Sequence, residues 1–225
     1  VKTVSVAPGT PVASDITINS FRVTWAEATG AESYRIDISL DSNFQGFLEG
    51  YDNRIESSEN VLNIGQNILS GTRYYIRIRA YNSGGISANS TTLTVLTLPG
   101  SPLGFETSDN QPSAIKISWQ AVKSATEYQL LVSTTESFTT VLDGYNPKVI
   151  AGGATTTYVV EGLAPSTTYH FRLFAKNSTG LSDYVSQTAR TLPSDGILRK
   201  IEFNSVQYAP THYAGQPTEL SLIHI

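Results

Sequence analysis

The 225-residue chain contains no cysteine and no methionine, and only 15% of its residues are charged. Without cysteine it has no disulfide, no thiol nucleophile and no thiolate metal ligand. Its 15 lysines and arginines stand against 19 aspartates and glutamates, so the net charge is −4. This balance excludes the basic surface that binds nucleic acid, and no apolar run approaches the ~20 residues of a membrane-spanning helix. We therefore expect no nucleic-acid partner and no membrane insertion.

The chain does contain an internal repeat. Its apolar fraction of 40% is enough for a packed core. The only two tryptophans, Trp25 and Trp119, lie 94 residues apart in similar alternating runs. Each is followed nine residues later by a tyrosine that opens another run, at Tyr34 and Tyr128. The repeat predicts two tandem domains of similar structure.

Both copies have the pattern of short β-strands. Apolar and polar side chains alternate in short runs rich in Val, Ile, Thr and Tyr, and Gly, Pro, Asn, Asp and Ser interrupt these runs. No stretch has the 3.6-residue period of an amphipathic helix. Short strands with turns about every 8–12 residues are typical of a sandwich. The predicted fold class is all-β, with two tandem seven-stranded antiparallel β-sandwiches of the immunoglobulin-like kind.

A motif in the second copy indicates a family. Leu163, Pro165, Thr167 and Tyr169 have the spacing Leu-x-Pro-x-Thr-x-Tyr. Together with the tryptophan and tyrosine positions, this motif resembles the fibronectin type III domain, and the resemblance covers residues 10–193. It implies that the last tyrosine forms a tyrosine corner, in which the hydroxyl bonds to nearby backbone.

The first copy departs from the motif at one position. Ser70 replaces the proline, whereas Thr72 and Tyr74 are kept. We expect a looser turn at Ser70 with the tyrosine corner retained. The core residues that the resemblance implies are Trp25, Tyr34 and Tyr74 in the first copy and Trp119, Tyr128, Leu163 and Tyr169 in the second.

The linkers suggest how the chain is divided. Pro8–Pro11 resembles the linker Pro99–Pro102, so residues 1–7 align with residues 92–98. An alternative is that residues 1–7 are a leader strand of no special origin. The predicted segments are the last strand of a preceding module plus linker (1–9), two fibronectin type III-like domains (10–99 and 100–193), and the truncated start of another module (194–225).

The last six residues have an unusual sequence. Leu220–Ile225 reads Leu-Ser-Leu-Ile-His-Ile, which the string CTGTCTCTTATACACATC encodes. That string is similar to the mosaic-end adapter of transposase-based sequencing. We interpret residues 220–225 as adapter-derived, and the nucleotide sequence tests this interpretation.

No catalytic or metal-binding motif is present in the sequence. The histidines His170, His212 and His224 lack metal-ligand spacing. Asp41 and Asn43 weakly resemble a calcium loop, and an Asx turn is the interpretation we favour. We predict that the chain is not an enzyme, with no catalytic residue, no metal and no cofactor.

Interaction surfaces are predicted on the sheets. Asp37 is predicted to form an exposed ion pair with Arg77 or Arg79, worth ~0–1 kcal/mol. Leu131 and Phe174 replace Asp37 and Arg79 in the second copy. They form either an exposed patch that contacts a ligand or neighbouring module, or a simple cross-strand pair. The outward side chains predicted for the first copy are Tyr75, Arg77, Arg79 and Tyr81.

These features predict non-catalytic spacer or interaction modules of a larger secreted or cell-surface protein. The alternatives are an adhesive or carbohydrate-binding module, and an accessory segment of a secreted hydrolase whose catalytic domain lies outside this chain. The predicted location is extracellular or the cell surface. The predicted partners are neighbouring domains of the same chain, and a protein or polysaccharide for an adhesive module. The repeated element Phe-x5-Gly-Tyr, at Phe44–Tyr51 and Phe138–Tyr145, is similar to arrays in large secreted bacterial proteins.

Overall fold

The computed structural model describes residues 2–56 and 59–194. Every regular element within these ranges is a β-strand, and all paired strands are antiparallel. The predicted all-β fold class is therefore confirmed. The predicted truncated module at residues 194–225, including the adapter-derived segment, lies outside the described residues except for Ser194.

The described residues of the first sandwich form eight strands in two sheets. Strands β1, β2 and β5 form one sheet in the order β1-β2-β5. In the other sheet β3 lies between β4 and β6, and both β7 and β8 pair with β6. The last strand position is thus divided into two short strands. The strands are β1 (Val12–Ser14), β2 (Phe21–Thr24), β3 (Ser33–Ser39), β4 (Arg54–Glu56), β5 (Val61–Ile64), β6 (Arg73–Asn82), β7 (Gly85–Ile86) and β8 (Leu93–Leu96).

The second sandwich contains seven strands with the same topology. One sheet has the order β13-β10-β9 and the other β12-β11-β14-β15. The strands are β9 (Glu106–Ser108), β10 (Ala114–Ser118), β11 (Glu127–Ser133), β12 (Lys148–Ala151), β13 (Thr157–Glu161), β14 (Thr168–Lys176) and β15 (Val185–Arg190).

The alternating sequence of the central strands produces the two-layer core. Successive side chains of a strand point to opposite faces, so every second residue enters the core. On β6 the inward side chains are fully buried, and those between them are partly exposed. The inward residues of β6 are Tyr74, Ile76, Ile78 and Ala80.

The two tryptophans have equivalent places in the two cores. Trp25 directly follows β2 and packs edge-on against Tyr34, with ring centroids 5.3 Å apart. Trp119 directly follows β10 and packs in the same way against Tyr128 at 5.1 Å. All four rings are buried. Aromatic pairs in this geometry stabilise a core beyond their burial alone.

Both predicted tyrosine corners are present. The hydroxyl of Tyr74 accepts a hydrogen bond from the backbone N–H of Leu69 over 2.7 Å. The hydroxyl of Tyr169 accepts one from Ala164 over 2.8 Å. Leu163, the residue before Ala164, is buried in the second core.

The turn that precedes the corner has the same hydrogen bond in both sandwiches. The Thr72 hydroxyl donates to the Ser70 carbonyl over 2.9 Å, and the Thr167 hydroxyl donates to the Pro165 carbonyl over the same distance. Serine and proline both provide this backbone carbonyl, so the bond is kept. The looser turn expected at Ser70 stays a prediction.

Candidate interaction site

The outward side chains predicted for β6 lie on the sheet face away from the core, and all are partly buried there. Strand β3 lies beside β6, with Asp37 directly opposite Arg77 and Arg35 directly opposite Arg79. The side chains concerned are Tyr75, Arg77, Arg79 and Tyr81.

Asp37 is the centre of a charged cluster on this face. Nε of Arg77 donates to its Oδ2 over 2.8 Å, and Nη2 of Arg79 donates to both carboxylate oxygens over 2.9 Å. The backbone N–H of Asn53 donates to Oδ1 over 2.8 Å. Four donated hydrogen bonds satisfy this carboxylate.

The predicted ion pair of Asp37 is therefore confirmed, but the prediction that it is exposed is wrong. The carboxylate pairs with both arginines, and its side chain is only 1% exposed. Arg77 and Arg79 are 24% and 22% exposed, so their side chains cover the carboxylate while retaining contact with water. Because the carboxylate is buried, the charge that this face presents to water is that of the partly exposed arginines. The interaction surface expected at Tyr75, Arg77, Arg79 and Tyr81 stays a prediction.

Aromatic rings lie against two arginines of this face, Arg77 and Arg35. The guanidinium carbon of Arg77 lies 4.2 Å from the ring centroid of Phe44 and 5.9 Å from that of Phe47. The guanidinium carbon of Arg35 lies 4.9 Å from the ring centroid of Tyr81. These are cation–π distances.

The second sandwich has an arginine between two aromatic rings on the corresponding face. The guanidinium carbon of Arg172 lies 4.0 Å from the ring centroid of Phe138 and 4.6 Å from that of Tyr184. Tyr184 also packs edge-on against Phe174 at 5.6 Å. We call Phe138, Arg172, Phe174 and Tyr184 the aromatic–arginine stack. Tyr184 is its most open member, with 47% of its surface exposed.

Leu131 and Phe174 are not directly opposite each other. The register pairs Leu131 with Arg172 and Phe174 with Gln129, so the two apolar side chains are diagonal neighbours. Both are half-buried. Leu131 and Phe174 are therefore not a directly opposed cross-strand pair, and the contact patch expected there stays a prediction. In the stack, Tyr184 has the largest exposed aromatic surface.

Sequence reasoning missed Arg172 and Tyr184. Arg172 could have been found, because it occupies the position in the repeat that Arg77 has in the first copy. Tyr184 could not have been found from the repeat, because the first copy has the exposed asparagine Asn89 at that position. The contact of Tyr184 with Phe174 also joins the loop before β15 to strand β14, which the sequence does not show.

A shallow cleft of about 200 Å³ lies beside the stack. Glu136, His170 and Thr188 contribute polar groups to it, and Nδ1 of His170 lies 3.1 Å from Oγ1 of Thr188. Arg172 and Tyr184 form part of its wall.

Several acidic side chains, among them Glu127 and Asp41, are engaged in ion pairs or turns. The hydrogen bond from Nζ of Lys176 to Glu127, 2.9 Å long, holds the pKa of that carboxyl below its ordinary value. Asp41 accepts hydrogen bonds from the backbone N–H groups of Asn43 and Gln45, at 3.2 and 3.0 Å. This bonding is the favoured Asx turn. Within the described ranges, no three His, Asp or Glu side chains are grouped as metal ligands.

The two sandwiches pack into one compact unit that ends at Ser194. Nδ2 of Asn177, after β14, donates to the Thr97 carbonyl over 2.9 Å and to the Ser124 hydroxyl over 3.1 Å. The Thr179 hydroxyl donates to the Leu96 carbonyl over 2.7 Å. Asn177 is buried in this contact.

A second contact joins the sandwiches through the loop between β10 and β11. Nζ of Lys123 donates to the Thr72 hydroxyl over 2.9 Å. Gly71 lies so close to the chain at Lys123 and Ser124 that a side chain at Gly71 would collide with the Ser124 hydroxyl at 2.7 Å. The contacts of Asn177 and of Lys123 thus join the two sandwiches at two separate points.

Comparison with known proteins identifies related sequences and structures. The profile described as Fibronectin type III domain matches residues 6–96 and 100–191. Receptor-type tyrosine-protein phosphatase S of Gallus gallus is 30% identical over 133 residues, which are 56% of this chain and 8% of the phosphatase. Fibronectin type III domain-containing protein 1 of Margaritifera margaritifera is 26% identical over 150 residues, 63% of this chain and 20% of that protein. The chain thus spans a small part of these relatives.

The two-domain fibronectin type III segment of chicken tenascin is similar at 19% identity and a TM-score of 0.49, covering 82% of this chain and 99% of the segment. No helix in the part of the chain that the structure describes is long and apolar enough to cross a membrane.

Proposed function

The chain belongs to the fibronectin type III domain family, and we propose that its two sandwiches are non-catalytic spacer modules of a larger extracellular or cell-surface protein. They hold the parts of that protein on either side at a defined separation and orientation. Receptor proteins among the relatives support the extracellular location. The carboxylates engaged in ion pairs and turns support a non-catalytic role.

The double contact between the sandwiches is the observation that carries this proposal. A free linker of glycine and serine allows two domains to reorient. Here Pro99 and Pro102 are both buried, and Asn177 and Lys123 cross the junction from different loops. Reorientation would expose the buried amide of Asn177 and break its bond to Thr97, so the contact opposes bending.

Distance measurement between the sandwiches tests the proposal. The chain has no cysteine, so the exposed residues Arg22 on β2 and Thr157 on β13 can be replaced by cysteines that carry the only two spin labels. We expect one narrow distance distribution by double electron–electron resonance. Asn177→Ala combined with Thr179→Ala should broaden it.

The control is Asn89→Ala, which removes an exposed asparagine and should leave the distribution narrow. A broad distribution in the unsubstituted chain would show that the sandwiches turn freely and would end the spacer proposal.

The aromatic–arginine stack favours adhesion as a second candidate function. Its half-exposed Tyr184 and the adjacent cleft form a surface that could accept a protein or polysaccharide segment. Arrays of purified glycans and extracellular proteins test it: saturable binding lost in Tyr184→Ala, with Tyr75→Ala as the matched control, supports adhesion. Binding that is equally strong in Tyr184→Ala excludes this face.

A further inference from the structure

The side-chain amide of Asn82 holds the segment that precedes β1. Its Nδ2 donates to the Thr3 carbonyl over 3.0 Å, to the Ser5 hydroxyl over 2.9 Å and to the Gly30 carbonyl over 3.1 Å. Its Oδ1 accepts from the backbone N–H of Gly84 over 2.8 Å. Both Asn82 and Ser5 are buried, although residues 2–11 form no strand of the sheets. The segment is thus fastened to the first sandwich by a buried polar contact.

Asn177 makes the same arrangement where the two sandwiches meet. Thr3 and Asn82 are 79 residues apart, and Thr97 and Asn177 are 80 apart. The backbone N–H of Thr179 donates to Oδ1 of Asn177 over 2.9 Å. The backbone N–H of Gly84 makes the same hydrogen bond to Oδ1 of Asn82. Residues 2–5 therefore contact the first sandwich through Asn82. The end of the first sandwich contacts the second sandwich in the same way, through Asn177.

These contacts set the register between the two segments. Thr3 takes the position of Thr97, and the buried Ser5 takes that of the buried Pro99. The alignment of Pro8–Pro11 with the linker instead places Val6 at the position of Thr97, so the two registers differ by three residues. The hydrogen bond from Asn82, rather than the position of the Pro-Gly sequence, identifies Thr3 as the residue that contacts the first sandwich.

Gly84 lets the segment approach closely. A methyl group at Gly84 would lie 2.8 Å from the carbonyl carbon of Thr3, and closer still to the carbonyl oxygen of Lys2. The equivalent residue of the second sandwich is Thr179, whose hydroxyl bonds to Leu96. Both sandwiches thus use the residue two places after the asparagine to contact the incoming chain.

We propose that this end of the first sandwich is a docking surface for the carboxyl-terminal end of another fibronectin type III domain, whose last strand leads into residues 2–5. We call Gly30, Asn82 and Gly84 the Asn82 clamp. The inference rests on the proposed spacer function and adds a partner to it. Thr29 and Gly30 are exposed and equivalent to Lys123 and Ser124, which meet the turn at Gly71 and Thr72. The corresponding turn of the preceding domain covers Thr29 and Gly30.

A three-sandwich chain tests the docking surface. Residues 8–94 are placed directly before residue 1, so that a copy of the first sandwich leads into residues 2–5 in the register given above. One pair of spin labels spans the new junction, and a second chain carries the pair that spans the original junction. We expect a narrow distance distribution at both.

Two substitutions remove the clamp in different ways. Asn82→Ala removes the amide, and Gly84→Ala adds a methyl group whose nearest neighbours are atoms of Lys2 and Thr3 in the docked segment. The backbone of Gly84 lies outside the left-handed region, so alanine fits it when the segment is absent. Each should abolish the narrow distribution at the new junction and leave the original junction unchanged. Asn177→Ala should broaden the distance distribution at the original junction and leave that at the new junction narrow. Asn89→Ala should change neither distribution.

The outcomes separate the two proposals. A broad distribution at the new junction beside a narrow one at the original junction overturns the docking surface and leaves the spacer function standing. Broad distributions at both junctions overturn the spacer function and the docking surface with it. A narrow distribution that survives both Asn82→Ala and Gly84→Ala overturns the assignment to the Asn82 clamp.

Discussion

Asp37 and Arg77 lie directly opposite each other on strands β3 and β6, and Nε of Arg77 donates to the buried Asp37 carboxylate over 2.8 Å. The second sandwich has Leu131 opposite Arg172 at the same place, and this arginine lies between two aromatic rings. Both faces thus pack an arginine against aromatic rings, and the first sandwich adds a buried carboxylate.

The effect of replacing Asp37 on the stability of the first sandwich should therefore depend on whether its arginine partners are replaced as well. Asp37→Leu alone should lower the free energy of unfolding of the first sandwich by about 3 kcal/mol, because two arginines lose their carboxylate. Asp37→Leu combined with Arg79→Phe introduces the residues of the second sandwich and should recover about half of this loss or more. Urea unfolding followed by amide NMR signals of the first sandwich measures both. A double variant as unstable as the single one would contradict the interpretation.

The tyrosine corners should contribute through one hydrogen bond each. Tyr74→Phe leaves the backbone N–H of Leu69 without its acceptor and should lower the free energy of unfolding by about 1–3 kcal/mol. Tyr75→Phe, on the opposite face of the same strand, is the matched control and should change it by less than about 0.5 kcal/mol. Thermal unfolding of the two variants compares them. Equal effects would show that the corner hydroxyl has no special role.

Removing a core tryptophan should lower the free energy of unfolding more than Asp37→Leu or Tyr74→Phe does. Trp25→Ala leaves a cavity against Tyr34 and should lower the free energy of unfolding of the first sandwich by about 3–5 kcal/mol. Because each sandwich has its own core, hydrogen exchange in the interior of the second sandwich should be much less affected. Trp119→Ala is the reciprocal experiment. Loss of protection in both interiors from either change would mean that the sandwiches unfold as one cooperative unit.

The attachment of the amino-terminal segment should depend on pH. The hydrogen bond that Nζ of Lys2 donates to Glu32 over 2.6 Å holds the pKa of Glu32 below its ordinary value of 4.5. The ion pair therefore contributes fully above the ordinary pKa, and its contribution is lost as the pH falls through the lower folded value.

Carbon-detected NMR titration of the Glu32 carboxyl, together with the amide shift of Thr3, measures this transition. Glu32→Gln should remove the pH dependence of the Thr3 amide without detaching Asn82. A Glu32 carboxyl that titrates at its ordinary pKa would show that the Lys2 pair does not persist in solution.

Much of the fold could be predicted because its determinants are local. A period of two along β6 decides which side chains enter the core, and the repeated tryptophan, tyrosine and Leu-x-Pro-x-Thr-x-Tyr positions decide how that core is assembled. The clearest error concerned Asp37. Its burial requires Arg79, which is diagonal to it in the register, and the backbone of Asn53 in a distant loop. No pattern along one strand contains that information.

The sequence by itself determined the two sandwiches, their antiparallel strands, their tryptophan cores and the outward direction of the β6 side chains, because alternation and repetition act over short stretches of chain. Only the tertiary structure decided that Asp37 is buried, that Tyr184 completes a stack with Arg172, and that Asn82 and Asn177 hold equivalent chain ends. Each of these contacts joins groups that are far apart in the sequence, so the path of the folded backbone determines which polar groups meet.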